Sequence, residues 1–455
     1  MKFLNGKKIE GRNFEFEKIK YIFYWKKIKS MYSDIVKPLH RPNLKLRTKD
    51  WSVFSFLFRM RQRIKTHKII YRLSLFIYFL FKTIYYYTIL LIFSVFKIEN
   101  KIIIVNYSGK GYWDMGKYIC NELIKYNHKI YRATKEEYKD SLPMEINYVK
   151  YDSIKYLYHL ATAKVWINNS RFQYWIRKRK KQFYIQTWHW CLAFKKVESA
   201  VEDKLSRYYV WGAKNDSKIA NLFISNSTFC TNFYRKYFWY NWDILEDWCP
   251  RNDIIINNDK GSILKVKKYF WILETEKICL YAPTFRVDSL LDAYNIDYDI
   301  LIKALENKFK NKWKLLIRLH PNISYLGKQL SWIKKNIINA SDYPDMQELL
   351  VATDFLITDY SSCILDYALS QKPWIIYASD IEKYKKDRDF DIKLEDTPFP
   401  IATDNLELEQ VLENFKFDEY KDKVRIFYDN LGLKETGKSC KEIVWIINKI
   451  MKNKK

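Results

Sequence analysis

The chain has 455 residues, 48% of them hydrophobic, so it holds two or three packed domains and is not a disordered polymer. Its 80 Lys+Arg against 52 Asp+Glu leave a net charge of +28, a field that draws anionic lipid, nucleic acid or phosphorylated substrates without choosing among them. Seven scattered cysteines, never in C-x-x-C spacing, argue against a disulfide framework and against a zinc site.

Residues 1–97 form a basic, aromatic region expected to associate with a membrane. Clusters such as Lys26-Lys27 and Arg59–Lys68 interleave with Trp51, Phe54 and Phe58. Met1–Tyr32 is charged throughout and lacks the apolar run of a cleavable signal, so the catalytic part is expected to be cytoplasmic. Leu73–Phe96 is an apolar stretch whose single charge is Lys82. It is long enough to span a bilayer. A lysine near its middle is costly there, however, and Tyr78, Tyr85, Tyr86 and Tyr87 favour the interface. The expectation is one or two helices lying in the cytoplasmic leaflet, peripheral or monotopic, with a spanning helix and a buried core helix as the alternatives.

Residues 98–255 read as a first Rossmann-like domain. Lys101–Tyr107 is a buried strand, Ser108-Gly109-Lys110-Gly111 a turn, and Asp114 to about Tyr126 an amphipathic helix. Two nucleotide motifs nearly form here and both fail. Asp114 stands where a dinucleotide fingerprint needs its third glycine, and Tyr118 stands where a P-loop ending Gly116-Lys117 needs a hydroxyl for Mg²⁺. Val165–Ile167 is a strand running into Asn168-Asn169-Ser170-Arg171, and the pentad Arg177–Lys181 reads either as a solvated charge run or as a basic rim around an acceptor or phosphate pocket. Strand Gln182–Thr187 then leads to Trp188-His189-Trp190. A histidine directly after a strand points into a cleft, so His189 is a candidate general base. Tyr208–Trp211 and Leu222–Ile224 are predicted strands, and Pro250–Asp253 is a turn closing the domain.

Residues 256–425 read as a second such domain. Strand Lys277–Ala282 precedes a loop with Thr284 and Arg286, and strand Lys314–Arg318 stops at His320-Pro321. The most informative stretch follows: strand Asp354–Thr358, turn Asp359-Tyr360-Ser361-Ser362, helix Cys363–Gln371 and strand Pro373–Tyr377. In a βαβ unit that turn lies at the carboxyl edge of the sheet, where open α/β sheets bind ligands. Ser361 and Ser362, at a helix N-terminus, suit a phosphate; simple capping is the alternative. Three loops converge there, carrying Thr284/Arg286, Arg318/His320 and Asp359/Ser361/Ser362. The arginines meet phosphate charge, and His320 can donate to a bridging or leaving oxygen. Residues 426–455 are a last amphipathic helix, near Thr436–Met451, and a lysine tail.

Six motifs stand in order: N-N-S-R (168–171), Q-T-W-H (186–189), P-R-N-D (250–253), Y-A-P-T-F-R (281–286), R-L-H-P (318–321) and T-D-Y-S-S-x-x-x-D (358–366). With them the chain, from about Ile102 to Asp404, resembles the CDP-glycerol glycerophosphotransferase family of teichoic-acid primases and polymerases. The resemblance implies a GT-B-like α/β fold, two Rossmann-like lobes facing a cleft, with the CDP-donor on the second lobe and monotopic membrane attachment. It implies transfer of a polyol phosphate from CDP-glycerol or CDP-ribitol to a lipid-linked acceptor, releasing CMP. Carried over by motif, His189 is similar to the base on the acceptor hydroxyl and His320 to the histidine at the donor pyrophosphate. Arg286, Ser361, Ser362 and Asp366 fall in donor-site motifs, joining Thr284, Arg318 and Asp359; Asn169, Ser170, Arg171 and Trp188 stand on the acceptor side. No cofactor, metal or nucleic acid is expected. One departure is Trp190, where the family usually has glycine; an indole there is expected to fill space needed by the acceptor. A nucleotide-sugar glycosyltransferase and a catalytically impaired membrane-surface protein are the rival readings.

Overall fold

The computed structural model of the chain describes residues 68–190, 196–246, 248–284, 296–320, 323, 336–381, 392, 394 and 397–452. Arg286 and the basic clusters before residue 68 lie outside them.

Two parallel sheets carry the fold. The first contains β1 (Glu99–Val105), β2 (Ile130–Thr134), β3 (Asn147–Lys150), β4 (Ala163–Asn168), β5 (Phe183–Gln186), β6 (Leu222–Ile224) and β7 (Asp243–Leu245), in the order β3-β2-β1-β4-β5-β6-β7. The second contains β8 (Lys277–Ala282), β9 (Trp313–Ile317), β10 (Ile337–Asn339), β11 (Phe355–Thr358), β12 (Trp374–Tyr377) and β13 (Ile401–Ala402), in the order β10-β9-β8-β11-β12-β13. Helices cover both faces, which is why central strands such as Ile102–Val105 and Phe355–Thr358 are continuously apolar and buried. Strand order reverses between β1 and β4 in one sheet and between β8 and β11 in the other, opening a crevice at each carboxyl edge.

Several elements differ from expectation. Tyr208–Trp211 is not a strand but part of the Arg207–Ile219 helix, which Ser206 caps by accepting from the Tyr209 N–H. Its aromatic residues mimic a strand, yet the cap and the buried stripe Val210, Gly212–Ala213 and Asp216–Ser217 follow the helical period. β2, β3, β7, β10 and β13 are additional: β3, β7, β10 and β13 are edge strands of two to four residues, whereas β2 lies inside its sheet. In β3 only Val149 is buried. The Cys363–Gln371 helix is in fact α-helical only over Cys363–Tyr367 and tightens to a 3₁₀ turn over Ala368–Ser370.

The Lys68–Phe93 helix docks one face on the first lobe. Tyr86 stacks on Trp175 with centroids 5.1 Å apart, and Phe79 lies 4.5 Å from Tyr208. Lys82 sits on this docked face, its Nζ 3.6 Å from Asp152 and 5.2 Å from the Trp175 ring, so its charge is satisfied by protein. The other face exposes Ile77, Phe81, Ile84, Leu91 and Ile92.

The chain also crosses back at its end. In the Ser439–Lys452 helix, Ile443, Val444 and Ile447 join Ile102, Ile119 and Leu123 in the first lobe's core, so the last segment completes the domain that the chain built first. Between the lobes, Lys117 Nζ lies 2.6 Å from both Asp345 and Glu348, and Tyr118 donates to Asp345 at 3.0 Å.

Candidate active site

His189 stands three residues past β5, on a loop fixed by the neighbouring strand. The Thr187 N–H donates to the Asn168 carbonyl (2.9 Å), and the Trp188 N–H donates to Gln186 Oε1 (2.9 Å). Trp188 takes a left-handed φ of 53° and lays its indole under the imidazole, with centroids 4.4 Å apart. His189 Nδ1 is 3.1 Å from the Asn169 carbonyl. A carbonyl can only accept, so Nδ1 carries the proton and Nε2 the lone pair. Burial lowers the His189 pKa to about 4, against the opposing pull of the Asp114 carboxylate and the Asn169 carbonyl. At neutral pH the ring is uncharged, the form that takes up a proton.

Arg251 ties this loop to both lobes. Its Nη1 donates to the His189 carbonyl and pairs with Asp114 Oδ1 (3.2 Å), while Nη2 pairs with Asp366 Oδ2 (2.6 Å). Burial works against the guanidinium's charge, and the Asp366 and Asp114 carboxylates more than restore it. Asp114 also accepts from Tyr107 Oη (2.6 Å) and Asn169 Nδ2 (2.9 Å), and Gln347 Nε2 donates to Asp366 (3.0 Å). The P-R-N-D stretch, expected to be a domain-closing turn, is therefore a 3₁₀ turn whose arginine is the pivot of the cleft. Asp366, expected at the donor, is held by Arg251 and Gln347.

The acceptor-side residues divide. Asn169 is buried and positions Tyr107, Asp114 and His189 through three separate groups. Ser170 is half-buried and its hydroxyl lies 3.3 Å from Asn168 Oδ1. Arg171 does not face the cleft: its guanidinium pairs with Glu198 (2.9 Å) and Asp216 (3.2 Å) and lies over Trp188. The Arg177–Lys181 pentad precedes β5 and so lies at the amino edge, opposite His189. Lys178 donates to the Gln182 carbonyl and Arg179 to those of Phe96 and Ala161, so this is no rim to a pocket at the His189 edge. Trp190 turns inward among Phe233, Tyr234 and Phe238 and is 8% exposed, with no left-handed φ. Its indole fills the core behind the loop, not the space in front of His189.

At the second sheet, Asp359 after β11 knots the loop after β8. Its carboxylate accepts the Thr284 N–H (2.9 and 3.0 Å) and hydroxyl (2.5 Å), as well as the Tyr360 N–H (2.6 Å). Ser361 Oγ reaches the Cys363 N–H at 3.4 Å, whereas Ser362 makes no side-chain cap; both are half-buried. Arg318 directs Nη1 at the carbonyls of Tyr343 (2.5 Å) and Ala340 (3.3 Å), and His320 is exposed on the same edge. Thr284, Asp359, Ser361 and Ser362 thus gather at the switch point between β8 and β11. Among the described residues no group of three or more His, Cys, Asp or Glu could hold a metal ion.

Sequence reasoning missed Asp114, Arg251 and Gln347, whose contacts join separate elements. Only Arg251 left a signal, as part of an ordered motif. Gly116 of the failed P-loop is explained by packing: a Cβ there would strike Arg132 Nη1 and Asn106 Oδ1.

The profile of the family described as CDP-Glycerol:Poly(glycerophosphate) glycerophosphotransferase matches residues 86–449. The chain is 30% identical over 367 residues to a teichoic acid poly(glycerol phosphate) polymerase of Staphylococcus epidermidis, covering 77% of this chain and 51% of that one. It is 28% identical over 383 residues to a teichoic acid glycerol-phosphate transferase of Staphylococcus aureus, covering 80% of this chain and 96% of that one. The solved structure of the wall teichoic acid polymerase TagF superposes with a TM-score of 0.71 at 27% identity, covering 88% of this chain and 98% of that one. Two parallel Rossmann-like lobes, the ordered motifs and this match agree: the chain belongs to the CDP-glycerol:poly(glycerophosphate) glycerophosphotransferase family.

Proposed function

We propose that the chain transfers a polyol phosphate, glycerol phosphate foremost, from a CDP-activated donor to a hydroxyl of a lipid-linked polymer or primer at the cytoplasmic face of the membrane. The observation that carries this reading is the neutral His189, with Nε2 as its proton acceptor, held at the edge of the first lobe while the second lobe's switch-point loops gather Thr284, Asp359, Ser361 and Ser362. The acceptor oxygen attacks the β-phosphorus in line, a new P–O bond forms, and its proton passes to His189 Nε2. The bond from that phosphorus to the bridging oxygen breaks, and CMP leaves with the electron pair. Amide and hydroxyl groups around Ser361 and Ser362, with His320, offset the charge on the phosphates.

The Lys68–Phe93 helix supports attachment in the membrane plane. Its docked face is glued to the first lobe through Tyr86, Lys82 and Leu90, and its free face is apolar. A helix so held lies along a surface with its exposed side chains in lipid. The buried indole of Trp190 removes the steric reason for an inactive homologue.

The test is CMP release from CDP-glycerol, CDP-ribitol and nucleotide sugars with crude membranes as acceptor, for wild type and His189→Ala. Release from a CDP-polyol, lost in the variant, is expected. Turnover of nucleotide sugars alone would replace this reading with glycosyl transfer.

A further inference from the structure

Glu435 lies on the strap that carries the chain from the second lobe back to the first, and no motif marks it. The strap is pinned to the carboxyl edge of the first sheet. Lys434 N–H donates to the Asn226 carbonyl (2.9 Å), and Leu433 bridges Ser227. Asn226 follows β6, one strand over from the strand that leads to His189. Glu435 Oε1 accepts from Asn226 Nδ2 and from Asn252 Nδ2 (3.0 Å). Asn252 in turn adjoins Arg251, whose guanidinium holds the His189 carbonyl, and its Oδ1 meets Gln347 of the second lobe at 3.5 Å. Glu435 Oε2 is buried and has no hydrogen-bond partner among the described residues.

A buried carboxyl with one oxygen doubly bonded by amides and the other unmatched is built to meet something. Burial, with Asp366 and Asp253 nearby, raises its pKa to about 8 despite the two amides, so at neutral pH it is a neutral acid with an O–H to donate. The charged groups around it are Asp366 on the Cys363–Tyr367 helix and Asp253 on the Asp253–Ile256 helix, with the Tyr428 phenol on the Phe417–Asn430 helix. Arg251 is already paired with Asp114 and Asp366, and Asp253 stands near Glu435 as a further carboxylate. That balance repels a phosphate. It suits uncharged hydroxyls, which amides and a neutral acid bind by donating and accepting in turn.

We infer that Glu435, with Asn226 and Asn252, binds the hydroxyls of the acceptor's terminal polyol and so sets which oxygen meets His189. This deepens the glycerophosphotransferase reading and rests on it. The experiment measures CMP release by the full chain from CDP-glycerol, titrating crude acceptor membranes and donor separately, for wild type, Glu435→Ala and Glu435→Gln, from pH 6 to 9.5. In Glu435→Ala the acceptor KM is expected to rise at least tenfold with the donor KM within twofold. In wild type the acceptor KM is expected to climb as pH passes about 8, because the acid loses its donating proton. Glu435→Gln, which cannot ionise, should lose that alkaline climb; this holds the test open even if the alanine variant does not fold. An unchanged acceptor KM in a folded Glu435→Ala, or the same alkaline climb in Glu435→Gln, overturns the inference while leaving the glycerophosphotransferase reading intact. A wild-type protein that releases no CMP from CDP-glycerol or CDP-ribitol overturns that reading, and this inference with it.

Discussion

Arg251 Nη2 lies 2.6 Å from Asp366 Oδ2, a buried pair that joins the Pro250–Asn252 turn to the helix after β11. The same guanidinium holds the His189 carbonyl, so one side chain ties the His189 loop to the second lobe. Removing it strands two buried carboxylates, Asp114 and Asp366. Arg251→Ala is expected to destabilise the protein by about 3–5 kcal/mol. Denaturant melts read the loss directly, and CMP release should fall with it at temperatures where the variant is still folded. A variant as stable as wild type would show that the pair is not closed in solution.

His189 gives a pH signature. A base works while neutral, and burial keeps this ring neutral down to a pKa of about 4. The rate of CMP release should therefore stay level as pH falls from 7 to about 5.5, where an ordinary imidazole of pKa ~6.5 would already be mostly protonated. An acid limb centred between 6 and 7 would mean that the imidazole is solvated during turnover. His189→Ala should reduce the rate by roughly 10²–10⁴-fold, the usual contribution of a positioned base.

Trp190 departs from the usual family residue, and the fold gives that departure a structural meaning. Its ring packs on Phe233 and Phe238, and its carbonyl accepts the Tyr234 hydroxyl at 2.9 Å. Trp190→Gly should cost about 3–5 kcal/mol by leaving a cavity, and should not raise turnover. A gain in CMP release in a stable variant would put the indole in the acceptor's way after all.

Asp359 holds the second-lobe loops together by accepting from Thr284 and Tyr360. Asp359→Ala removes the carboxylate that these donors share, at about 1–3 kcal/mol for each buried hydrogen bond lost. The expected kinetic result is a donor KM raised on the order of tenfold, with the acceptor KM little changed, because in the proposed reading the loops it ties bind the donor. Equal rises in both would assign Asp359 to general stability.

The exposed face of the Lys68–Phe93 helix should bind anionic vesicles. Phe81→Asp with Ile84→Asp puts charge where the free face meets lipid and leaves Tyr86 and Lys82 docked. Co-sedimentation with vesicles should fall at least ~10-fold, since each large apolar side chain contributes roughly 1.5–3 kcal/mol when fully buried. Undiminished binding would move the attachment elsewhere, for example to the basic residues before position 68.

What the sequence by itself determined is local. The continuous apolar runs at Lys277–Ala282, Leu222–Ile224 and Phe355–Thr358 specify strands, because a parallel sheet buries both faces. A polar loop after each marks the carboxyl edge of its sheet, which is why the placement of Thr284, Asp359, Ser361 and Ser362 there was legible, as was that of His189 after Phe183–Gln186. Only the tertiary structure decided which polar residues face the cleft and which hold the frame. Arg171 and the Arg177–Lys181 pentad have the composition of an anion site. The first is locked to Glu198 and Asp216, and the second caps carbonyls at the opposite sheet edge. Arg251 and Asp366 stand in motifs that do not show what they touch, Asp114 and Glu435 stand in none, and the cited contacts join residues 62 to 209 positions apart. Charge pairing and hydrogen bonding act over a few ångströms of space, not along the chain, so no local period or composition records them until the two lobes and the returning strap bring them together.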